Sequence, residues 1–195
     1  MNMNDILEQR RSIYSLGNEV SLSNQEIIER IEHTLARTPS AFNAQTQRVL
    51  LLLDKEHELF WNETLKLLLP LSENKEKTTN KINSFIKAKG TILFYDDSSV
   101  TKALEEKFPL YSKNVNVWAL EQSGMLQMNV WNVLTSLGLG ASLQHYNEVI
   151  DTLVRDLFDV SPDWRLIGQM PFGSILSVPD KKHEVPVKSR ILVRV

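Results

Sequence analysis

Two arginines and a serine stand together near the start of the chain, and these residue types suit a phosphate group. Arg10, Arg11 and Ser12 follow a short helix predicted over residues 3–10. An arginine offers a rigid fork of N–H donors, and a serine hydroxyl adds a short hydrogen bond. A solvated charge pair on the surface would have the same sequence, so the triplet alone does not predict a site.

A second basic group lies near the end of the chain, in the segment PVKSRILVRV. Residues 191–195 are predicted to form the last strand, and Lys188 and Arg190 alternate just before it. On a strand the two side chains would share a face and could add positive charge to a phosphate site. An ordinary charged edge strand is the alternative.

Two side-chain amides occur in the segment PSAFNAQ, residues 39–45, which is predicted to be a loop that leads into a strand. Asn43 and Gln45 are two residues apart, and in extended chain such residues face the same way. Two amides on one face can donate to and accept from the edge of a planar heterocycle. A turn rich in small polar residues would also explain the segment.

The segment GLGASLQHYN, residues 138–147, follows the most apolar stretch of the chain. Its glycines allow the backbone to approach another chain segment or a ligand closely. The backbone amides of Ser142, Leu143 and Gln144 could then point at a bound ring. The alternative is a plain helix C-cap, with Gly138 in the left-handed conformation, followed by a turn.

Composition excludes several classes of function. The chain has 195 residues, enough for one domain with a sizeable core, and 42% of them are hydrophobic and 24% charged. A net charge of -2 gives no basic excess to bind nucleic acid, and the lack of cysteine excludes disulfides and thiolate chemistry. The four histidines are scattered, so no metal site is predicted, and P-loop, dinucleotide-binding and nucleophile-elbow motifs are missing.

The hydrophobic pattern predicts neither a secretory signal nor a membrane span. The first twelve residues are polar and charged, and residues 118–139 are interrupted by Glu121, Gln122, Gln127, Asn129 and Asn132. We therefore expect a cytoplasmic protein.

The elements that must position these residues mix helices and strands without a regular βαβ rhythm, which predicts an α+β fold. Strands are predicted over residues 48–53, 91–95, 165–170 and 191–195. Helices are predicted from the capping box of Ser23 and Glu26 to Pro39 and over residues 55–70, 78–88, 98–107, 113–137 and 147–158. The helix over 113–137 is apolar nearly all round in its second half, so it must be covered on most sides, and a partner subunit is a natural cover.

The order of these segments along the chain is more specific than any one of them. An N-terminal RRS, the loop PSAFNAQTQR, the apolar strand TILFY, a long helix ending in GLGASLQHYN and a basic terminal strand together resemble the nitroreductase family of FMN enzymes. The resemblance covers nearly the whole chain. It is strongest to the subgroup with short chains, which includes the fungal-type and copper-induced bacterial nitroreductases.

The resemblance implies a single domain, residues 1–195, with a sandwich of helices around a mainly antiparallel sheet. Two subunits would pair through their long helices, exchange their C-terminal strands and bind two FMN molecules at the interface. The FMN-binding positions it implies are Arg10, Arg11, Ser12, Ser40, Asn43, Gln45, Ser142, Leu143, Gln144, Lys188 and Arg190. The backbone amide of one residue in 142–144 would donate to the flavin N5, where hydride arrives and leaves.

One position departs from the family pattern. Many relatives carry a lysine two residues after the serine of the first motif, near the N1 and O2 edge of the flavin, and this chain has Tyr14 there. Reduced FMN is negatively charged at N1 and needs a donor. Arg48 is one candidate, and backbone amides are the other.

The resemblance implies a ping-pong reaction in a homodimer. NADH or NADPH would reduce the flavin, and a nitroaromatic or quinone would then be reduced in the same cleft with no side-chain acid or base. A low-turnover flavin-binding protein with a regulatory or stress-response role is the first alternative, and a flavin-free interaction protein is the second.

Overall fold

Five β-strands form one antiparallel sheet with helices on both faces. The computed structural model describes residues 1–195. The strands are β1 (Leu16–Gly17), β2 (Gln47–Leu53), β3 (Gly90–Asp97), β4 (Gly140–Ala141) and β5 (Trp164–Ile175). Their order in the sheet is β1-β5-β3-β2, with β4 also paired to β5, and every pairing is antiparallel. The predicted α+β class and antiparallel sheet are confirmed.

The sheet divides the core into two layers. All eight residues of β3 are buried, and because successive side chains of a strand point to opposite faces, Ile92 and Phe94 enter one layer while Leu93 and Tyr95 enter the other. The helices are α1 (Met3–Gln9), α2 (Asn24–Arg37), α3 (Asp54–Leu68), α4 (Lys75–Ile86), α5 (Ser98–Lys107), α6 (Ser112–Ser136) and α7 (Asn147–Phe158). Helices α2 and α6 cover the first layer, and α3, α4 and α7 cover the second.

The ends of the helices follow from local side-chain and backbone chemistry. The predicted capping box is present at α2, where Ser23 Oγ accepts from the Glu26 amide and the Glu26 carboxylate accepts from the Ser23 amide. Helix α4 begins at Lys75, earlier than predicted, because the Asn74 side chain caps it by accepting from the Lys77 amide.

The long helix α6 lies within one residue of its predicted bounds. It ends before Gly138, which takes the expected left-handed conformation with φ of 74°. One side of α6 packs on the sheet. The other leaves four apolar side chains exposed: Val117, Leu120, Met125 and Met128. The structure contains no helix with the combination of length and apolarity that a membrane span requires.

The predicted strand over residues 191–195 is wrong for the single chain. These five residues are exposed, pair with no strand, and follow a short 3-10 turn at Val187–Ser189. A strand is stable only where a neighbouring strand satisfies its backbone groups, and no strand of its own chain does so here. Strands β1 and β4 were not predicted, because a strand of two residues is too short to show an alternation of apolar and polar residues.

Candidate functional site

The RRS segment joins the sheet at β4. The Ile13 amide donates to the Ala141 carbonyl oxygen over 2.8 Å, and Ser12 forms a parallel bridge with Ala141. This pairing places the N-terminal motif beside the segment that follows α6. Two motifs that are about 130 residues apart in sequence are therefore neighbours in space, as a shared site requires.

A polar cavity of about 620 Å³ opens beside this segment. Its lining contains three predicted residues and two lysines that were not predicted: Arg10, Arg11, Ser12, Lys181 and Lys182. The adjacent pair Lys181-Lys182 was the signal that could have revealed them. Glu8 and Glu184 also line the cavity, so the excess positive charge is two. A group with two negative charges, such as a phosphate ester, would balance it.

The two arginines of the motif have different surroundings. The guanidinium carbon of Arg10 lies 4.7 Å from the centre of the Trp131 ring on α6, a cation–π contact that orients the side chain. Arg11 instead donates to the main-chain oxygens of Pro179 and Asp180, over 2.8 and 2.6 Å. Arg11 thus fixes the start of the C-terminal tail, residues 176–195, and brings Lys181 and Lys182 to the cavity.

The backbone after β4 presents a limited set of free donors. The Ser142 amide donates to the Pro171 oxygen over 3.3 Å, and the Gln144 amide donates to the Gln169 oxygen over 2.7 Å. The amide of Leu143, which lies between them, donates to no group of the chain. Because N–H directions alternate along extended chain, the free amide points away from β5. Of the three predicted amides, only that of Leu143 is available to a ligand.

Gln169 on β5 holds this segment in place. Its side-chain oxygen accepts from the Tyr146 amide over 2.9 Å, and its side-chain nitrogen donates to Asn147 Oδ1 over 2.6 Å. Its backbone N–H also donates to the Gln144 oxygen. Gln169 has no exposed surface, so these bonds are shielded from water. The free Leu143 amide is therefore on a rigid support.

The loop over residues 39–45 is a tight turn, which contradicts the prediction that Asn43 and Gln45 lie in extended chain and share a face. Their φ angles are 53° and 51°, both left-handed, and Phe42 also has a positive φ. The Ser40 hydroxyl closes the turn by accepting from the Gln45 amide over 2.9 Å. Both amide side chains are exposed and open to a ligand.

Arg48 is occupied by an internal ion pair. Its guanidinium donates to Asp97 Oδ2 over 2.8 Å and to the Gln45 oxygen over 2.7 Å. Burial alone would raise the pKa of Asp97, but hydrogen bonds from Ser99 and Val100 and the charge of Arg48 outweigh it and lower the pKa. Arg48 therefore links β2 to the end of β3.

The remaining predicted positions are exposed. Lys188 lies in the 3-10 turn of the tail and Arg190 follows it, and neither forms a hydrogen bond or an ion pair with the RRS segment of its own chain. Tyr14 is 43% exposed. Within one chain, the structure brings together residues 10–12, 141–144 and 181–182, whereas Lys188 and Arg190 stay apart from them.

Known proteins match most of the chain in sequence. The nitroreductase family model matches residues 7–174. The nitroreductase FRM2 of Saccharomyces cerevisiae is 28% identical over 178 residues, 90% of this chain and 89% of FRM2. The yeast protein HBN1 is 30% identical over the same length, with the same coverage.

Solved structures agree with the family match. Nitroreductase CinD from Lactococcus lactis, in complex with nicotinic acid, superposes with a TM-score of 0.93 at 39% identity, covering 99% of this chain and 100% of CinD. A nitroreductase from Saccharomyces cerevisiae gives a TM-score of 0.78 at 27% identity, covering 88% of this chain and 94% of that chain. The chain therefore belongs to the nitroreductase family of oxidoreductases, within the fungal-type subgroup.

Proposed function

We propose that the protein is an FMN-dependent oxidoreductase that takes electrons from NADH or NADPH and passes them to nitroaromatic or quinone-like acceptors. The observation that carries the proposal is the cationic cavity beside the free amide of Leu143. Ser12, which lines the cavity, pairs with Ala141, and Leu143 lies two residue steps further on, about 7 Å of extended chain. A phosphate joined to a flat heterocycle would engage both.

The residues present fit FMN in chemical terms. Arg10, Ser12, Lys181 and Lys182 would hold the phosphate, since they offer charged and neutral donors and balance its charge. The Leu143 amide would donate to the flavin N5. When bound, the flavin supplies the chemistry of accepting a hydride and returning two electrons. The loop of Ser40, Asn43 and Gln45 would contact the ribityl chain and ring edge.

The net reaction with a nitroaromatic is NAD(P)H + ArNO2 + H+ → NAD(P)+ + ArNO + H2O. The hydride of the nicotinamide supplies two electrons and one proton, and solvent supplies the second proton. The nitro oxygen leaves as water. Donor and acceptor would use the same cleft in turn, so the protein needs to orient each of them and exclude water, without a side-chain acid.

The negative charge of the reduced ring needs a donor, and Arg48 is a poor candidate for this role. Arg48 already donates to Asp97 and to the Gln45 oxygen, and releasing it would leave the Asp97 carboxylate without its cationic partner. Tyr14 brings a hydroxyl, not a cation, to the position where many relatives have lysine. We therefore expect the reduced flavin to be stabilised less by electrostatic interaction than it would be beside a lysine.

An aromatic acceptor is supported by the ligands of a relative. CinD from Lactococcus lactis has been solved with nicotinic acid, chloramphenicol and 4-nitrophenol. Each of these molecules contains a planar aromatic ring. We extend this property to the present chain as the expected acceptor class.

A homodimer would cover the apolar surface that one chain leaves exposed. The outer side of α6 is apolar, and so is much of the tail, including Ile191, Leu192 and Val193. Strand β2 is the edge of the sheet, and an apolar groove of about 690 Å³ lies between it and α2. The tail of a second copy, added along β2, would satisfy the open edge and bring Lys188 and Arg190 to the partner subunit.

The test is the visible absorption spectrum of the purified protein before and after anaerobic addition of NADH. We expect a yellow protein that bleaches with NADH and regains its colour when a nitroaromatic is added. Bound flavin that no acceptor reoxidises at a useful rate would favour the low-turnover flavin-binding alternative. A protein that stays colourless after incubation with FMN would overturn the cofactor assignment and favour the flavin-free interaction protein.

A further inference from the structure

Four aromatic side chains meet next to the loop that would contact the flavin. Phe42, in the 3-10 turn Ala41–Asn43, stacks on Phe108 with ring centres 4.5 Å apart and planes 11° from parallel. Tyr111 and Trp118 lie 6.0 and 5.8 Å from Phe42 at steeper angles. We call these four residues the aromatic cluster. It joins the turn to the segment between α5 and α6.

The backbone of Phe42 is held in a conformation that is costly for a large side chain. Its φ and ψ are 52° and 21°, in the left-handed region, where a residue with a Cβ loses about 1–2 kcal/mol. On one side of it the Ala41 amide donates to Gln122 Oε1 over 3.0 Å, and on the other Ser40 Oγ accepts from the Gln45 amide. These bonds fix the turn and therefore the position of the ring.

This conformation does not serve to bury the ring. The Phe42 residue is 52% exposed although its side chain is wholly apolar. Phe108 stacks on one face of the ring, and about half of the residue still remains open to solvent. Strain that presents an apolar group to solvent is typical of functional sites.

The space beside the turn suits one aromatic ring. A cleft of about 210 Å³ is lined by Ser40, Ala41, Trp118, Gln122 and Met125, together with Pro39 and Glu121. Protein cavities of about 150 Å³ hold a benzene molecule. Phe42 does not line this cleft, but its chain neighbour Ala41 does, so the cleft lies next to the turn that carries the Phe42 ring.

We propose that Phe42 is a specificity-determining residue that stacks on the planar, electron-poor ring of an aromatic acceptor. The proposal rests on the proposed function. Offset stacking of such a ring on the side of Phe42 opposite Phe108 would continue the stack. The cluster would favour aromatic acceptors over compact or non-planar ones, because only a flat ring gains this contact.

The test compares Phe42→Leu with the FMN-loaded wild type. Leucine is also apolar and pays the same energetic cost for a left-handed backbone, so the stability of the turn should be similar in the two proteins. Leu110→Ala is the control, since Leu110 is 86% exposed beside Tyr111 and takes no part in the stacking. The dissociation constant of 4-nitrophenol, measured by calorimetry, should rise about three- to tenfold in Phe42→Leu and stay unchanged in Leu110→Ala.

A second measurement separates ring recognition from electron transfer. The flavin is reduced with light, and its reoxidation by nitrobenzene is compared with reoxidation by ferricyanide, which has no aromatic ring. In Phe42→Leu the rate constant with nitrobenzene should fall about three- to tenfold, while that with ferricyanide changes less than about twofold.

Three results would overturn the inference. The first is that 4-nitrophenol binding and the nitrobenzene rate stay at wild-type values, and the second is that the rates with both acceptors fall equally. The third is that Phe42→Leu sediments as a monomer, which would make the cluster a subunit contact. Failure of the proposed function looks different, because the wild type itself would then bind no FMN or would not bleach with NADH.

Discussion

At the scale of single residues, Gln122 connects the long helix to the loop over residues 39–45. Only 4% of it is exposed. Its side-chain oxygen accepts from the Ala41 amide, and its nitrogen donates to the Thr46 hydroxyl. In the sequence Gln122 only interrupts an apolar helix, whereas in the fold it holds the turn that carries Asn43 and Gln45.

Replacing Gln122 by leucine should therefore damage the loop as well as the core. The Ala41 amide and the Thr46 hydroxyl would lose their partner, and an unsatisfied buried group costs about 1–3 kcal/mol. We expect the free energy of unfolding to fall by about 2 kcal/mol and FMN affinity to fall about tenfold. Gln127→Leu is the matched control, because Gln127 bonds only Ser123 on its own helix. Equal loss of FMN affinity in both variants would argue against the role of Gln122.

The cations of the cavity make a second prediction for single residues. Arg10→Ala and Lys182→Ala should each weaken FMN binding about tenfold or more and should reduce its dependence on salt, since each removes a charge-assisted contact to phosphate. Lys55→Ala, an exposed lysine on α3, should change neither. Fluorescence titration of FMN over a range of salt concentrations measures both quantities.

The variant Arg190→Ala tests whether the tail exchanged between subunits contributes to FMN binding. A loss of FMN affinity in this variant would mean that Arg190 reaches a phosphate site, although it lies apart from residues 10–12 of its own chain. If FMN affinity is unchanged in Arg10→Ala and Lys182→Ala, the phosphate does not bind in this cavity.

At the scale of elements, the sequence predicted what depends on local pattern. The three long strands and all seven helices could be located because buried strands are continuous apolar runs and amphipathic helices repeat every three to four residues. The proximity of Lys181 and Lys182 to Arg10 could not be predicted, because it depends on two hydrogen bonds of Arg11 to distant main-chain oxygens. The left-handed Asn43 and Gln45 depend in the same way on the Ser40 side chain.

Arg11 is accordingly expected to act on the tail. Arg11→Ala removes both bonds to Pro179 and Asp180, so the segment over residues 179–182 should detach from the body of its own chain. We expect trypsin to cleave after Lys181 or Lys182 at least about tenfold faster, since proteolysis follows the population of the detached state. Arg30→Ala, on the exposed side of α2, is the control. A tail that stays protected while FMN affinity falls would show that Arg11 binds the phosphate and not the tail.

At the scale of the whole molecule, a buried histidine links stability to pH. His57 on α3 has Nε2 3.0 Å from the Phe85 oxygen, so Nε2 carries the proton and Nδ1 accepts from the Thr91 hydroxyl over 2.9 Å. Trp61 donates to the same hydroxyl oxygen. This arrangement joins α3, α4 and β3 and requires a neutral imidazole.

Burial lowers the pKa of His57 from 6.5 to about 4 in the folded chain. Between these two values the unfolded chain binds a proton that the folded chain excludes, so stability falls as pH decreases from about 6.5 to 4. The full effect is about 3 kcal/mol. Denaturant unfolding at a series of pH values should show this slope in the wild type and in His33→Gln, an exposed control, and a much smaller slope in His57→Gln. The same slope in His57→Gln would assign the effect to other groups.

The proposed subunit contact connects the fold to the site, because a tail exchanged between subunits would carry Lys188 and Arg190 to the partner. Met128 is 43% exposed on the outer side of α6, and Leu157 is 37% exposed on α7, which covers the opposite face of the sheet. A glutamate at an apolar interface would be desolvated without a partner, at a cost of several kcal/mol. Met128→Glu should therefore sediment as a monomer and lose FMN, whereas Leu157→Glu should remain a dimer with flavin bound. A monomeric Met128→Glu that keeps its FMN would show that one chain suffices for the cofactor. If Met128→Glu stays dimeric, the contact must lie elsewhere than on α6.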